Sequence, residues 1–413
     1  MKILLTGHCS SFFIIPWVTA IKKVDPNLDF YVLGLNNPAT EIDAAEKELF
    51  LEIYEKESTY TEITGSKLPI LKSYVQDKGI GYTLKKVLNF KTFKNDVIDH
   101  FWQKKKEKWA ERILFDKDIV FIHYLNLKNL ELIKYIKPEI KLVLCFWGSD
   151  LLQESSEETL LGLRLALKRA DFVSVQNHGM RFICCTKYGW DLLPKIRVAP
   201  FIPNYKILNE INHSSKEEAK SKLGQLFKIP TNKIWLSCGY RSIPIVQQAE
   251  IIDALSKLPV SLKNNIVLIL TMNYGNKDKE YTNRILQTAK KSKLEYIIID
   301  RYLTDEELAA LRKAMDIFIH FPMTDAMSAT IIEHMYAGNL VITNSSLPYA
   351  RFRKFNLSYS EVDEVDEVAK HVETGIMNQS FLKIDNRAKI HQMFEEDYNI
   401  KNWLEIIHDL KRV

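Results

Sequence analysis

Asp325 and Glu333 stand eight positions apart in the stretch Phe321-Pro322-Met323-Thr324-Asp325-Ala326-Met327-Ser328-Ala329-Thr330-Ile331-Ile332-Glu333, which runs on to Gly338. On an α-helix that separation is about 12 Å along the axis and about 80° around it. Two carboxylates so placed can grip opposite ends of a nucleotide sugar, one near the hexose and one near the ribose hydroxyls. Asp325 reads as the N-cap and Gly338 as the residue that ends the helix. The amides of Ala326, Met327 and Ser328, with the helix dipole behind them, then suit a diphosphate. The plainer reading is a capping Asp and an incidental helix Glu.

Other chemistry-bearing residues fall at predicted strand ends. Arg241 follows a strand ending at Gly239 and can neutralise a leaving diphosphate. Trp147-Gly148-Ser149-Asp150 is a tight glycine turn that projects Ser149 and Asp150, although Asp150 also fits as a simple cap of the next helix. Gly7 and His8 close the first strand and His123 closes another. A single histidine is more often structural than catalytic, so His8 and His123 enter as candidates.

These side chains must be carried by strands that end at a common cleft. Short β-branched runs alternate with longer amphipathic stretches, the pattern of βαβ units and a parallel sheet. Strands are expected at 2–6, 30–35, 118–123, 141–147 and 171–176 in the first half. The second half repeats the pattern at 234–239, 266–272, 296–300, 316–320 and 340–343. They are continuous in apolar residues, as strands covered on both faces are. The polar region 39–117 reads as a helical insertion. Pro200-Phe201-Ile202-Pro203-Asn204 is a proline-punctuated hinge. The expected fold is therefore α/β: a Rossmann-like domain over 1–203, a second over 204–385, and a helical segment over 386–413 packing back toward the first. Ligands of such sheets bind beyond the carboxyl ends of the strands.

Composition narrows the field. With 413 residues, 46% hydrophobic and 26% charged, the chain is an ordinary globular protein large enough for two cores. Its five cysteines, Cys9, Cys145, Cys184, Cys185 and Cys238, show no zinc-like spacing and suit reduced, buried thiols in the cytosol. Met1 to Gly7 is too short an apolar run for a signal peptide and reads as the first strand, and no segment approaches a spanning helix. A net charge of +5 without a nucleic-acid-binding motif argues against a nucleic-acid partner. Between Lys85 and Trp109 lysines interleave with Phe90, Phe93, Phe101 and Trp102, a composition that serves equally for an anionic membrane surface or a solvated helix face.

The acidic-x7-Glu spacing, followed by a small-residue-Gly turn and the strand Leu340-Val341-Ile342, resembles the E-x7-E motif of retaining GT-B glycosyltransferases, especially family 4. The resemblance extends through Leu303 to Leu308 and Ala314 to Ile319. Tyr274-Gly275 and Leu347-Pro348-Tyr349 add a likeness to bacterial polysaccharide-assembly transferases. It implies a GT-B architecture, two Rossmann-like domains with parallel sheets facing a central cleft. It also implies a hexosyl transfer with retention, from a nucleotide sugar to a glycan or lipid-linked glycan, in bacterial surface polysaccharide synthesis.

The resemblance implies Asp325, Asp150 and His123 as catalytic residues. The donor falls to Arg241, Glu333, Ala326, Met327, Ser328, Arg301, Tyr302 and Gly7, and the acceptor to His8, Trp147 and Ser149. No metal and no cofactor are expected, a UDP-sugar is the favoured donor, and the location is cytoplasmic, with peripheral attachment at the inner membrane face as an option. Three departures stand out: Asp325 replaces the first Glu, Val246 stands where the family has a lysine, and Trp147 replaces a histidine. A sugar-nucleotide epimerase and a non-catalytic nucleotide-sugar-binding subunit remain as alternatives.

Overall fold

The computed structural model describes residues 1–9, 11–35, 42–55, 75–78, 103–200, 205–272, 277–379, 382–397 and 400–412. In the N-terminal half these residues supply seven strands: β1 (Lys2–Gly7), β2 (Asp29–Leu33), β3 (Glu52–Tyr54), β4 (Ile119–His123), β5 (Lys141–Cys145), β6 (Phe172–Val175) and β7 (Ile196–Val198). They form one sheet in the order β3-β2-β1-β4-β5-β6-β7, every pairing parallel. The C-terminal half supplies β8 (Ile234–Cys238), β9 (Ile266–Thr271), β10 (Glu295–Ile299), β11 (Ile317–His320), β12 (Leu340–Asn344) and β13 (Ser360–Val362). Their order is β10-β9-β8-β11-β12-β13, again all parallel.

The central strands are buried along their whole length, as in β4 and β9, because helices cover both faces. Two apolar layers therefore sandwich each sheet. In the N-terminal domain one joins Leu4, Val120 and Leu142 to Leu163 and Met180, and the other joins Ile3, Phe30 and Phe121 to Trp17. Three strands escape the sequence pattern: β3, β7 and β13 are three-residue sheet edges. β3 also corrects the reading of 39–117 as a purely helical insertion. Two of its three residues are exposed, so it shows no apolar run to detect.

The Tyr205–Asn212 helix buries Ile207, Leu208 and Ile211 in the C-terminal core; residues 201–204, in the segment expected to be a hinge, lie outside the described residues. At the other end the Arg387–Asp397 helix still packs on the C-terminal domain, through Ile390, Met393 and Phe394. The Ile400–Arg412 helix crosses over and sets Trp403, Leu404 and Ile407 into the N-terminal core against Trp17 and Phe121. Trp403 also donates its indole N–H to the Pro200 carbonyl at 2.9 Å, tying the chain's end to the hinge. Burying a side chain of this kind stabilises the docking by about 3 kcal/mol. All five cysteines are buried free thiols.

Of the basic aromatic segment, Lys85 to Trp102 lie outside the described residues, as do Tyr274 and Gly275. The remainder lies on a helix over 103–114, with Trp109 packed on the N-terminal core. Lys104 pairs with Asp77 at 3.2 Å and Lys106 with Glu131 at 2.7 Å.

Candidate functional site

Each sheet reverses its winding once, between β1 and β4 in the first and between β8 and β11 in the second. At such a point the flanking loops part in opposite directions and leave a crevice at the carboxyl ends. Gly7 and His123 face each other in register across the first crevice. The second is closed at its base by the Gly239 N–H, which donates to the Ile319 carbonyl at 3.1 Å. Gly7 is required here: its φ is +92°, and a Cβ would lie 2.1 Å from the His123 carbonyl oxygen.

The two crevices meet. Asn177 Nδ2, at the start of the His178–Tyr188 helix, donates to the Ala326 carbonyl of the opposite domain at 3.2 Å. Gly148 has φ +150°, and a Cβ there would come within 2.8 Å of the Ala326 methyl. So the loop after β11 touches the loops after β5 and β6, and the carboxyl ends of both sheets face one cleft.

On the C-terminal side the structure corrects the expected helix start. The helix is Ala329–Tyr336, with Ser328 at the N-cap, and Asp325 stands three residues earlier in the loop. Met327 has φ +85°, a left-handed conformation that a helix cannot contain, which is why the helix cannot begin at Ala326. Asp325 Oδ2 accepts the Met327 N–H at 3.1 Å and the Ser328 N–H at 2.8 Å, so these two amides serve the loop rather than standing open toward a diphosphate. The same oxygen accepts the Tyr349 hydroxyl and lies 3.4 Å from His320 Nε2. Burial pushes the Asp325 carboxyl up, but the His320 ring, the Tyr349 hydroxyl and the Ser328 amide outweigh it and hold the group below its ordinary value. His320 and Tyr349 are fully buried, and the Tyr240 ring stacks on His320 with centroids 6.1 Å apart. Arg241, the next residue, is half-buried at the mouth of the same crevice.

Glu333 sits just over one turn into the helix, and its Oε2 accepts from Arg312 Nε at 3.0 Å. Arg312 reaches it from the last turn of the Asp305–Ala314 helix, and both side chains are almost fully buried. Arg312 Nη1 lies 3.3 Å from His334 Nε2, and the His334 ring stacks on Phe318 at 3.8 Å. Arg301 is placed elsewhere. It forks onto Glu307 at 2.8 and 2.6 Å and lies over the Phe227 ring, while Tyr302 is exposed. Glu307 is the reciprocal partner in the capping box of Thr304, so Arg301 is drawn into a helix cap. It follows β10, the sheet edge, two strands and hence roughly 10 Å from the switch point.

On the N-terminal side Asp150 turns inward. Its carboxylate accepts the N–H groups of Leu125 at 2.8 Å, Trp147 at 3.0 Å and Gly148 at 2.8 Å, knitting the loops after β4 and β5 together. Burial pushes its carboxyl up to about 6 in spite of those bonds. The carboxylate expected to project into the cleft is therefore turned toward three backbone amides. His123 is likewise withdrawn from the cleft: it is fully buried against Trp17, Phe121 and Trp147, and burial, with the nearby His8, lowers it to about 3. A ring so held stays neutral at physiological pH. His8 is exposed above it, and Ser149 Oγ lies 3.1 Å from the Tyr124 hydroxyl.

Sequence reasoning missed Tyr240, His320, Arg312, Tyr124 and Asn177 as parts of the site. Their common signal was position, at or just past a strand end, except for Arg312, which gave none. Among the described residues no group of three or more His, Cys, Asp or Glu side chains could hold a metal ion.

No protein-family model matches this chain, and no curated protein matches its sequence. Solved structures do resemble it. HepE from Anabaena, in complex with UDP and glucose, matches with a TM-score of 0.65 at 16% identity over 100% of both chains. A glycosyltransferase from Rickettsia africae ESF-5 matches at 0.65 and 14% identity, covering 99% of this chain and 98% of that one. Trehalose-6-phosphate synthase OtsA matches at 0.65 and 13% identity, covering 100% of this chain and 99% of that one. The fold is thus the GT-B architecture, with two parallel-sheet Rossmann-like domains facing a central cleft.

Proposed function

We propose that this protein is a glycosyltransferase that moves a sugar from a nucleotide-sugar donor, with UDP the favoured nucleotide, to a glycan acceptor. The observation that carries this reading is the meeting of two switch-point crevices, with the Asp325-ordered loop of one domain lying against Gly148 and Asn177 of the other. A cleft so built suits two substrates, one on each domain. Support for a hydroxyl-rich donor comes from Ser242, Thr324, Ser328 and Thr343, whose buried side-chain oxygens lack a hydrogen-bond partner among the described residues near the carboxyl ends of β8, β11 and β12. The fold likeness to HepE, whose structures hold UDP and UDP-glucose, favours UDP over other bases.

In this reading Arg241 takes the diphosphate and Glu333, steadied by Arg312, takes the ribose. Asp325 holds the Met327–Ser328 turn beneath the hexose. Retention is proposed from the likeness of the acidic-x7-Glu pattern to retaining enzymes: the acceptor attacks from the front face and the departing diphosphate takes its proton. Metal independence is proposed because Arg241 can supply the positive field. A role in surface polysaccharide synthesis belongs to the same proposal.

No helix among the described residues is long and apolar enough to cross a membrane. Lys104 pairs with Asp77 and Lys106 with Glu131, and the proposal takes either a glycan in solution or a lipid-linked one as the acceptor. Sedimentation with anionic liposomes checks that choice. A thermal-shift screen across UDP, GDP, TDP and CMP sugars, followed by product analysis with labelled donor, tests the function itself. Transfer with the donor's anomer kept, in EDTA, is the expected result; epimerisation or binding without turnover would overturn it.

A further inference from the structure

We infer that two copies of this chain associate about a two-fold axis through the outer face of the Glu157–Arg169 helix. This surface covers a face of the N-terminal sheet rather than its carboxyl ends, so the inference stands independently of the proposed transfer reaction. That helix and the His178–Tyr188 helix bury Leu163, Leu167, Met180 and Cys184 in one apolar layer against the sheet. Their outer side is apolar as well. Leu161, Leu165, Phe182 and Trp190 are each more than half exposed, and the Phe182 and Trp190 rings meet edge-on with centroids 5.6 Å apart.

These four side chains belong to one surface. Arg164 Nη2 donates to both carboxylate oxygens of Asp191 at 2.8 and 2.9 Å, and a Cβ on Gly189 would lie 3.0 Å from Arg164 Nη1. Trp190 is thereby held at the flank of Leu161 and Leu165. On the opposite flank a Cβ on Gly162 would come within 2.5 Å of a Leu127 methyl, so that partly exposed side chain extends the patch. The five side chains expose on the order of 500 Å² of apolar surface, an extent that marks an interaction site. A standard interface takes about 800 Å² from each partner, with a polar rim around such a centre.

Charge decides the occupant. The exposed stripe of the Glu157–Arg169 helix reads Glu158, Leu161, Leu165, Lys168, with the alternating three- and four-residue spacing of a helix-pairing seam. Reversed, the stripe complements itself: an antiparallel second copy sets Leu161 against the partner's Leu165 and Glu158 against the partner's Lys168, each pair symmetric about position 163. A two-fold interface requires this property, because the same patch serves both subunits. An anionic membrane finds no such match. Arg164 is committed to Asp191, the Lys187 ammonium to the Leu151 and Glu154 carbonyls, and the Lys195 ammonium to the Lys168 and Ala170 carbonyls, while Glu157 and Glu158 stand exposed at the helix start. Acid at one end of the stripe and Lys168 at the other fit a reversed copy, not a uniformly negative surface.

Sedimentation velocity of the full chain across the micromolar range tests this. Wild type should give a species of twice the chain mass, and Leu161→Glu combined with Leu165→Glu should give a monomer with an unchanged circular dichroism spectrum, since both side chains are exposed. Glu158→Lys and Lys168→Glu should each weaken the dimer about tenfold or more, because one swap sets like charges together at both symmetric contacts. The double swap should restore wild-type dissociation, although within one chain the two residues lie about 15 Å apart and do not meet. A monomer at every concentration, a dimer that survives the paired glutamates, or a double swap no better than the single ones would overturn the inference. So would flotation of the monomeric chain on anionic vesicles that is lost in Trp190→Ala, an outcome that gives the face to lipid.

Discussion

The Tyr349 hydroxyl donates to Asp325 Oδ2, the same oxygen that accepts the Met327 and Ser328 amides. A tyrosine beyond β12 thereby fixes a loop beyond β11, and with it the left-handed Met327. Tyr349→Phe keeps the buried ring and removes the bond. A hydrogen bond to a charged group is worth about 1.5 to 3 kcal/mol, so UDP affinity should fall about tenfold as the loop loosens. Calorimetric titration checks this; an affinity within about twofold of wild type would detach the loop's order from donor binding.

Arg312 and Glu333 form a buried ion pair whose partners come from different helices. Removing one partner leaves an uncompensated buried charge and costs about 3 to 5 kcal/mol, whereas replacing both with apolar side chains is often near neutral. Arg312→Met should therefore lower the urea midpoint strongly, and Arg312→Met combined with Glu333→Leu should restore most of it. A single variant as stable as wild type would mean that Glu333 finds another cation or a proton.

Donor contacts are tested at the charged ends of the site. Glu333→Ala and Arg241→Ala should each weaken UDP-sugar binding or transfer by about tenfold or more, the loss of one charge-assisted hydrogen bond. Because Glu333→Ala also strands Arg312, its melting curve must be taken alongside its kinetics. Arg301→Ala serves as the contrast: its guanidinium is committed to Glu307, so donor kinetics should stay near wild type.

How much of this was legible depended on the range of the interaction that decides each feature. Strands such as β4 and β9 are buried on both faces, so their continuous apolar runs announced them. The edges β3, β7 and β13 are three residues long and partly exposed, and leave no such trace. Asp325 and Glu333 were visible by type and spacing. What they bond was not visible, because Met327's left-handed backbone and the convergence of His320, Tyr349 and Arg312 arise only when β11 and β12 pair and the helices close over them. Asp150 shows the limit best: a Gly-Ser-Asp turn at a strand end reads as facing the cleft, and only the packing reveals a carboxylate facing the backbone.

That inward carboxylate has a pH signature. Asp150 is 4% exposed, and burial raises its folded-state value to about 6 from an unfolded 3.8. Below the unfolded value both states are protonated and the group is neutral in effect. Between about pH 4 and pH 6 the folded state binds the proton more tightly, so stability falls as pH rises through this window. Above about 6 the full penalty stands, on the order of 3 kcal/mol. Asp150→Asn cannot ionise, so the difference in unfolding free energy between wild type and variant should slope downward across that window and be flat on either side. The variant loses one acceptor oxygen toward Leu125 or Gly148 at every pH, which offsets the curve without bending it. His123 titrates in both proteins and cancels in the difference. Urea titrations at half-unit steps from pH 4 to 8 measure the curve; a difference independent of pH would mean that the three amides alone keep Asp150 ionised throughout.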